Sequence, residues 1–184
     1  ISAIRGGVAV DTSMGLTPLA GLVMGTRSGD VDPGLHAFLG RQLGFGLDEV
    51  DALLNKRSGM LGLSGVTDFR DLDELIQQGD ERAMVALDVY CHRLLSYIGA
   101  YLAVLGRVDA ITFTAGVGEN NPVVRSKVIH RLAELGFELD DEANAIRSKE
   151  PRIISVPGSR VTVLVVPTNE ELAMARETIT AISA

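Results

Sequence analysis

The sequence predicts an α/β fold, and three stretches carry that prediction. In residues 108–122, Ile111 and Phe113 alternate with Thr112 and Thr114 as in a strand, Gly116 and Gly118 allow a tight turn, and Asn121 with Pro122 supplies an N-cap and first helical position. Residues 80–106 read as one long helix, with Met84, Leu87, Cys91, Leu94, Leu95, Ile98, Leu102 and Leu105 at helical spacing over roughly 40 Å of rise. Residues 152–156 and 161–166 are apolar strand runs parted by Pro157-Gly158-Ser159, and the second is apolar enough to be central in a sheet.

Composition narrows the class. A chain of 184 residues with 46% hydrophobic content and mean hydropathy +0.23 can bury one full-sized core, so one ordered domain is expected. A net charge of -7, pI about 4.9 and no run of Lys or Arg argue against nucleic acid as a partner. Three of the 17 basic residues are lysines, so a site for charged ligands would rest on arginines or a metal. The single cysteine, Cys91, sits in an apolar helical pattern, which suggests a buried, inert thiol in a reducing compartment. No apolar run reaches membrane-spanning length and no signal peptide is visible, so a soluble, cytoplasmic protein without membrane contact is expected.

Taken in order, residues 1–4 and 8–11 form a hairpin around Gly6-Gly7. Its first strand is under way at residue one with no initiator methionine, so the chain is expected to be a piece of a longer protein. A polar loop ends at the Pro18 turn, and Asp32 and Pro33 serve as N-cap and first residue of a helix through Leu43. Arg27 lies on the loop between Gly25 and Gly29, where its guanidinium either approaches a ligand or pairs with Asp30. Residues 47–56 and 71–78 read as short amphipathic helices. The loop at 64–71 presents Phe69 beside Arg70, a pair able to flank a nucleotide base, although Phe69 in a core and Arg70 in solvent is the commoner outcome. On the long helix, Val85, Val89, Tyr97 and Tyr101 lie off the main stripe, which predicts packing on two sides, one of them available to a second subunit. His36, His92 and His130 lack a second ligand at metal spacing and read as surface or core residues.

The glycine turn after residue 114 leaves backbone N–H groups suited to a phosphate or a nucleotide sugar, or is an ordinary strand-to-helix connection. It does not complete the dinucleotide fingerprint, whose third glycine is Asn121 here, which disfavours a dinucleotide-dependent oxidoreductase, and no Gly-Lys-Ser/Thr phosphate loop occurs. A helix over 123–135 ends at Gly136, and 141–147 makes another helical turn. At the start of the last helix, Thr168 and Glu171 have the spacing of a capping box. Glu170 is left either to favour the helix dipole or to hold a divalent cation at the carboxyl end of a central strand.

Four stretches together resemble one family: Asp11-Thr12-Ser13-Met14-Gly15-Leu16-Thr17-Pro18-Leu19, residues 24–33 around Thr26-Arg27-Ser28-Gly29-Asp30, Ala115-Gly116-Val117-Gly118-Glu119-Asn120, and Pro167-Thr168-Asn169-Glu170-Glu171-Leu172. They are similar to the acetate kinases in the same order along nearly the whole chain. The resemblance implies a ribonuclease H-like domain of the actin-like, sugar-kinase and Hsp70 superfamily, with a mixed sheet flanked by helices. It implies direct in-line phosphoryl transfer between ATP and acetate, giving ADP and acetyl phosphate, with Mg²⁺, in a homodimer. Residues 1–184 match the C-terminal nucleotide-binding domain, while the N-terminal domain and a His-Leu-Gly-Asn-Gly phosphate loop are absent, so the chain alone is expected to be inactive.

Carried over by position, Arg27 matches the arginine that stabilises the transferring phosphoryl group, and Glu170 matches the Mg²⁺ ligand. Asp68, Phe69 and Arg70 match a nucleotide-contacting loop, and Gly116, Val117, Gly118, Glu119 and Asn120 match the adenosine-binding loop. Ala115 stands where the family often has glycine, and the loop before Asp68 is one residue short. A propionate or butyrate kinase would share these motifs, because the acyl pocket lies mostly in the absent domain. An isolated nucleotide-binding or dimerisation module without activity is the other reading.

Overall fold

The computed structural model describes residues 1–183 and divides the chain into two compact units, Ile1–Val108 and the part from Asp109 onward. The first unit opens with the expected hairpin. Strands β1 (Ser2–Arg5) and β2 (Val8–Thr12) pair antiparallel across Gly6 and Gly7, whose φ values of 57° and 81° suit a primed two-residue turn.

Five helices complete this unit. Helix α1 (Gly34–Leu43) starts one residue after Pro33, with Asp32 Oδ1 accepting from Gly34 N at 2.6 Å. Helix α2 (Leu47–Lys56) has the expected bounds, and its Val50 and Leu54 share a core with Leu39 of α1, closed by Leu19, Leu35, Phe45 and Leu53. Helix α3 (Gly59–Ser64) is not foreseen by the sequence reading. Helix α4 (Phe69–Gln77) begins two residues earlier than expected, because Asp68 accepts from Arg70 N and caps it. Helix α5 (Glu81–Leu105) runs from an Asp80 cap to Gly106 and packs on α3, α4 and β1.

The burial of α5 follows the expected stripe at Leu87, Cys91, Leu94 and Ile98, then departs from it. Tyr101 is buried and Tyr97 donates to Asp30, while Met84, Val85 and Val89 remain exposed. Ala83 and Ala86 are fully buried instead.

The second unit is built on a mixed three-stranded sheet. Central β5 (Thr162–Val165) pairs in parallel with β3 (Ala110–Phe113) and antiparallel with β4 (Arg152–Ile153). Val163 and Val165 are completely buried, as the apolar run predicts. The expected strand at 152–156 is cut to two residues, because Ser155 forms a bridge to Leu139 and its hydroxyl accepts from Val163 N at 3.1 Å. The residues after β3 form helix α6 (Ala115–Asn120) rather than a glycine turn. Helix α7 (Pro122–Ile129) follows, capped by Asn121, and a 3-10 turn (His130–Leu135) stops at Gly136, φ 87°. Helices α8 (Asp141–Ala145) and α9 (Glu170–Ser183) complete the unit. Among the described residues no helix is long and apolar enough to cross a membrane.

Candidate functional site

In the second unit, α6 follows β3 and α9 follows β5, so both begin at the carboxyl ends of adjacent parallel strands. That edge is where α/β sheets leave room for ligands. A cleft of about 490 Å³ lies there, lined by Ala115, Gly116 and Glu119 on one side and by Thr168, Asn169, Glu170 and Glu171 on the other. Gly116, Glu119 and Glu170, singled out separately in the sequence, therefore meet in one place.

The two sides are tied together by Glu119, whose Oε1 accepts from Thr168 N at 2.9 Å and from Thr168 Oγ at 3.2 Å. This corrects the capping-box expectation, because a carboxylate from 49 residues upstream satisfies the Thr168 amide assigned to Glu171. Asn169 Oδ1 caps α9 by accepting from Leu172 N at 3.0 Å, which puts Glu170 and Glu171 in the first turn. Ala115 has φ 58° and is the one non-glycine residue at positive φ among those described. The left-handed position the strand-to-helix junction needs thus falls on Ala115, while Gly116 and Gly118 are helical. A Cβ on Gly118 would lie 3.2 Å from the Phe113 carbonyl carbon, so its lack of a side chain serves close packing on β3.

In the first unit, Arg27 lines a separate cleft of about 650 Å³ with Gly25, Thr26, Asp51, Asn55 and Lys56. Its loop is fastened by main-chain bonds: Met60 N to Met24 O, Leu61 N to Gly25 O and Ser58 N to Thr26 O, each 2.9–3.0 Å. The Asp30 pairing is not formed. Asp30 accepts instead from Gly21 N at 2.8 Å and from Tyr97 Oη at 2.5 Å, with Arg93 3.7 Å away. Burial first, and then the hydrogen bond to Asp30, push the Tyr97 hydroxyl up to about 12.

Asp68 and Arg70 form an exposed two-point pair, Nε to Oδ1 at 3.0 Å and Nη2 to Oδ2 at 2.7 Å. The Arg70 side-chain bonds, followed by its backbone N–H, hold the Asp68 carboxyl down at about 2. Phe69 packs edge-on against Tyr90 of α5, ring centroids 4.9 Å apart. All three histidines are exposed, and among the described residues no three His, Cys, Asp or Glu side chains are grouped to hold a metal. Mg²⁺ does not need such a group, since it commonly takes one or two carboxylates and completes its shell with phosphate and water. The carboxylates lining the α6–α9 cleft fit that demand.

Residues 1–176 match the acetokinase family. The chain belongs to that family. It is 58% identical over 176 residues to an acetate kinase of Corynebacterium aurimucosum, covering 96% of this chain and 43% of that protein. A crystal structure of Porphyromonas gingivalis acetate kinase superposes with TM-score 0.93 at 45% identity, covering 98% of this chain and 46% of that one. A propionate kinase from Francisella tularensis superposes with TM-score 0.89 at 41% identity, over 96% and 45% of the two chains. The chain therefore has the actin-like α/β fold of acetokinases and spans less than half the length of the relatives it matches.

Two structural contributors within this acetokinase fold escape the sequence reading. Gly59 has φ 62°, and a Cβ there would stand 2.2 Å from Met24 O. Arg125 is only 1% exposed yet carries a cation. Its signal is its place on the apolar face of α7, among Val124, Val128 and Ile129.

Proposed function

We propose that the chain is the C-terminal nucleotide-binding part of an acetate kinase, residues 1–184, whose N-terminal domain lies outside it. The whole protein would transfer the γ-phosphoryl group of ATP directly to a carboxylate oxygen of acetate, giving ADP and acetyl phosphate. The convergence of Gly116, Glu119 and Glu170 on one cleft at the carboxyl ends of β3 and β5 carries this reading.

In it, α6 meets the adenosine through Gly116, Val117, Gly118, Glu119 and Asn120, with no side chain at Gly116 to hold the ligand off the backbone. Asp68, Phe69 and Arg70 contact the nucleotide from the capped start of α4. Glu170 would provide an anionic oxygen to hold Mg²⁺, whose positive charge would offset the charge that builds on the phosphoryl group during transfer. Arg27, which does not form the Asp30 pair, supplies a guanidinium to the transferring phosphoryl group.

In-line transfer needs both reactants held in register, so the chain alone should bind nucleotide without turning it over. The exposed Met84, Val85 and Val89 on α5 give a homodimer an apolar face to use, and a reaction fed by ATP belongs in the cytoplasm. A propionate kinase is the second reading, supported by the 41% identity to the Francisella enzyme. Trapping acyl phosphate with hydroxylamine tests both. The whole protein should give product with acetate in preference to propionate, and the chain alone none. Product from the chain at the rate of the whole protein would overturn the division of labour.

A further inference from the structure

Arg125 is the most buried charged residue among those described, and its hydrogen bonds go to uncharged oxygens. Its Nη1 donates to Gly118 O at 2.8 Å and Glu119 O at 3.0 Å, its Nε to Asn144 Oδ1 at 2.7 Å, and its Nη2 to Asn144 O at 2.8 Å. Asn144 is itself buried and donates to Pro122 O at 3.0 Å. Burying a cation carries a desolvation cost that its hydrogen bonds only offset, and an apolar side chain would fill the same space without that cost. Arg152 lies near enough to add to the cost. What the guanidinium gains is placement.

Helix α6 has six residues, far below the length at which a helix persists by itself. Its terminal carbonyls need outside partners. Asn121 N takes Val117 O at 3.0 Å, and Arg125 takes the next two. One of these carbonyls belongs to Glu119, whose side chain fixes Thr168 at the entry to α9. A continuous set of bonds thus runs from α8 through Arg125 to α6, across the cleft, and on to the turn that carries Glu170.

We propose that Arg125 is a positioning residue of this site: by holding the Gly118 and Glu119 carbonyls it sets α6 and, through Glu119 and Thr168, the width of the cleft between Gly116 and Glu170. The inference rests on the nucleotide reading given above. It predicts that loosening Arg125 weakens nucleotide binding through α6 without loosening the rest of the protein.

The test uses the full chain, wild type and as Arg125→Lys and Asn144→Asp, with two readouts. Hydrogen exchange without nucleotide follows residues 115–120 against α5, and titration with a fluorescent ADP in excess Mg²⁺ gives affinity. Lysine keeps the charge but cannot span both carbonyls and Asn144, so exchange at 115–120 should rise at least tenfold and Kd at least tenfold, with α5 unchanged. Asn144→Asp keeps the acceptor for Nε but gives up the donor to Pro122 O, so exchange at 115–120 and Kd should both rise less than in Arg125→Lys. Unchanged exchange at 115–120 in Arg125→Lys would overturn the proposal, as would faster exchange with Kd within twofold of wild type. Loss of protection throughout the chain would assign Arg125 a purely structural role and overturn it too. If the wild-type chain binds no nucleotide, the functional reading falls instead, and the exchange data alone decide whether Arg125 holds α6.

Discussion

Gly59 sits against the backbone of Arg27, with its missing Cβ directed to within 2.6 Å of Arg27 O and 3.0 Å of Arg27 N. The loop that presents the guanidinium is therefore seated on a glycine 32 positions later in the chain. Gly59→Ala should be strongly destabilising, by about 3 kcal/mol or more, because left-handed strain and a main-chain clash add. Gly65→Ala is the control, with φ 85° but open space around it, and should cost about 1 kcal/mol. Urea melts of both variants check this; equal costs would show that the close approach to Arg27 is relieved without strain.

Ala115 supplies the opposite case. Its φ of 58° costs about 1–2 kcal/mol, partly offset by the greater freedom glycine has in the unfolded chain. Ala115→Gly should raise stability by about 0.5–1 kcal/mol, a few degrees in Tm for a chain of this size. A thermal melt that falls instead would mean the Ala115 methyl contributes more than its backbone strain costs.

The Asp68–Arg70 pair gives a pH signature. The Asp68 carboxyl is held below its ordinary value of 3.8 at about 2, so its contribution is fully present above pH 3.8 and is lost as pH falls through about 2. Arg70→Ala removes the side-chain bonds and leaves the backbone N–H bond, so the carboxyl should rise part of the way back. Carboxyl NMR titration measures both midpoints. A wild-type midpoint near 3.8 would mean the pair is not formed in solution.

Glu119 takes the role that local spacing gives to Glu171. Glu119→Ala frees the Thr168 amide and should cost about 1 kcal/mol, while Glu171→Ala should stay within about 0.5 kcal/mol. Equal losses in chemical melts would restore the capping box.

Most elements were legible where their cause is local. The Gly6-Gly7 hairpin, α2 with its amphipathic period, the Asn121-Pro122 start of α7 and the buried β5 follow from residues a few places apart. What was hidden depends on distant partners. Helix α3 has two glycines and little polar periodicity, and it forms where Met60 N and Leu61 N bond the Arg27 loop. Helix α6 reads as a turn until Arg125 is seen to answer its carbonyls. Glu119 reaches Thr168 across 49 positions, a separation no short-range pattern records. The motif residues of the candidate site were legible by resemblance, whereas the residues that hold them in place came only with the fold.

The central claim, that the α6–α9 cleft takes a nucleotide with Mg²⁺ on Glu170, is tested most directly by the Mg²⁺ dependence of ADP affinity. Wild type, Glu170→Gln and Glu171→Gln are titrated with ADP over a range of Mg²⁺ concentrations, with melts alongside. The side chain at 170 lies at an exposed helix start, so folding should change by only a few tenths of a kcal/mol. Affinity should rise with Mg²⁺ in wild type and in Glu171→Gln, while Glu170→Gln needs about tenfold more Mg²⁺ to reach the same affinity. An identical Mg²⁺ dependence in wild type and Glu170→Gln would contradict the account and leave Glu170 as a helix-terminal acid.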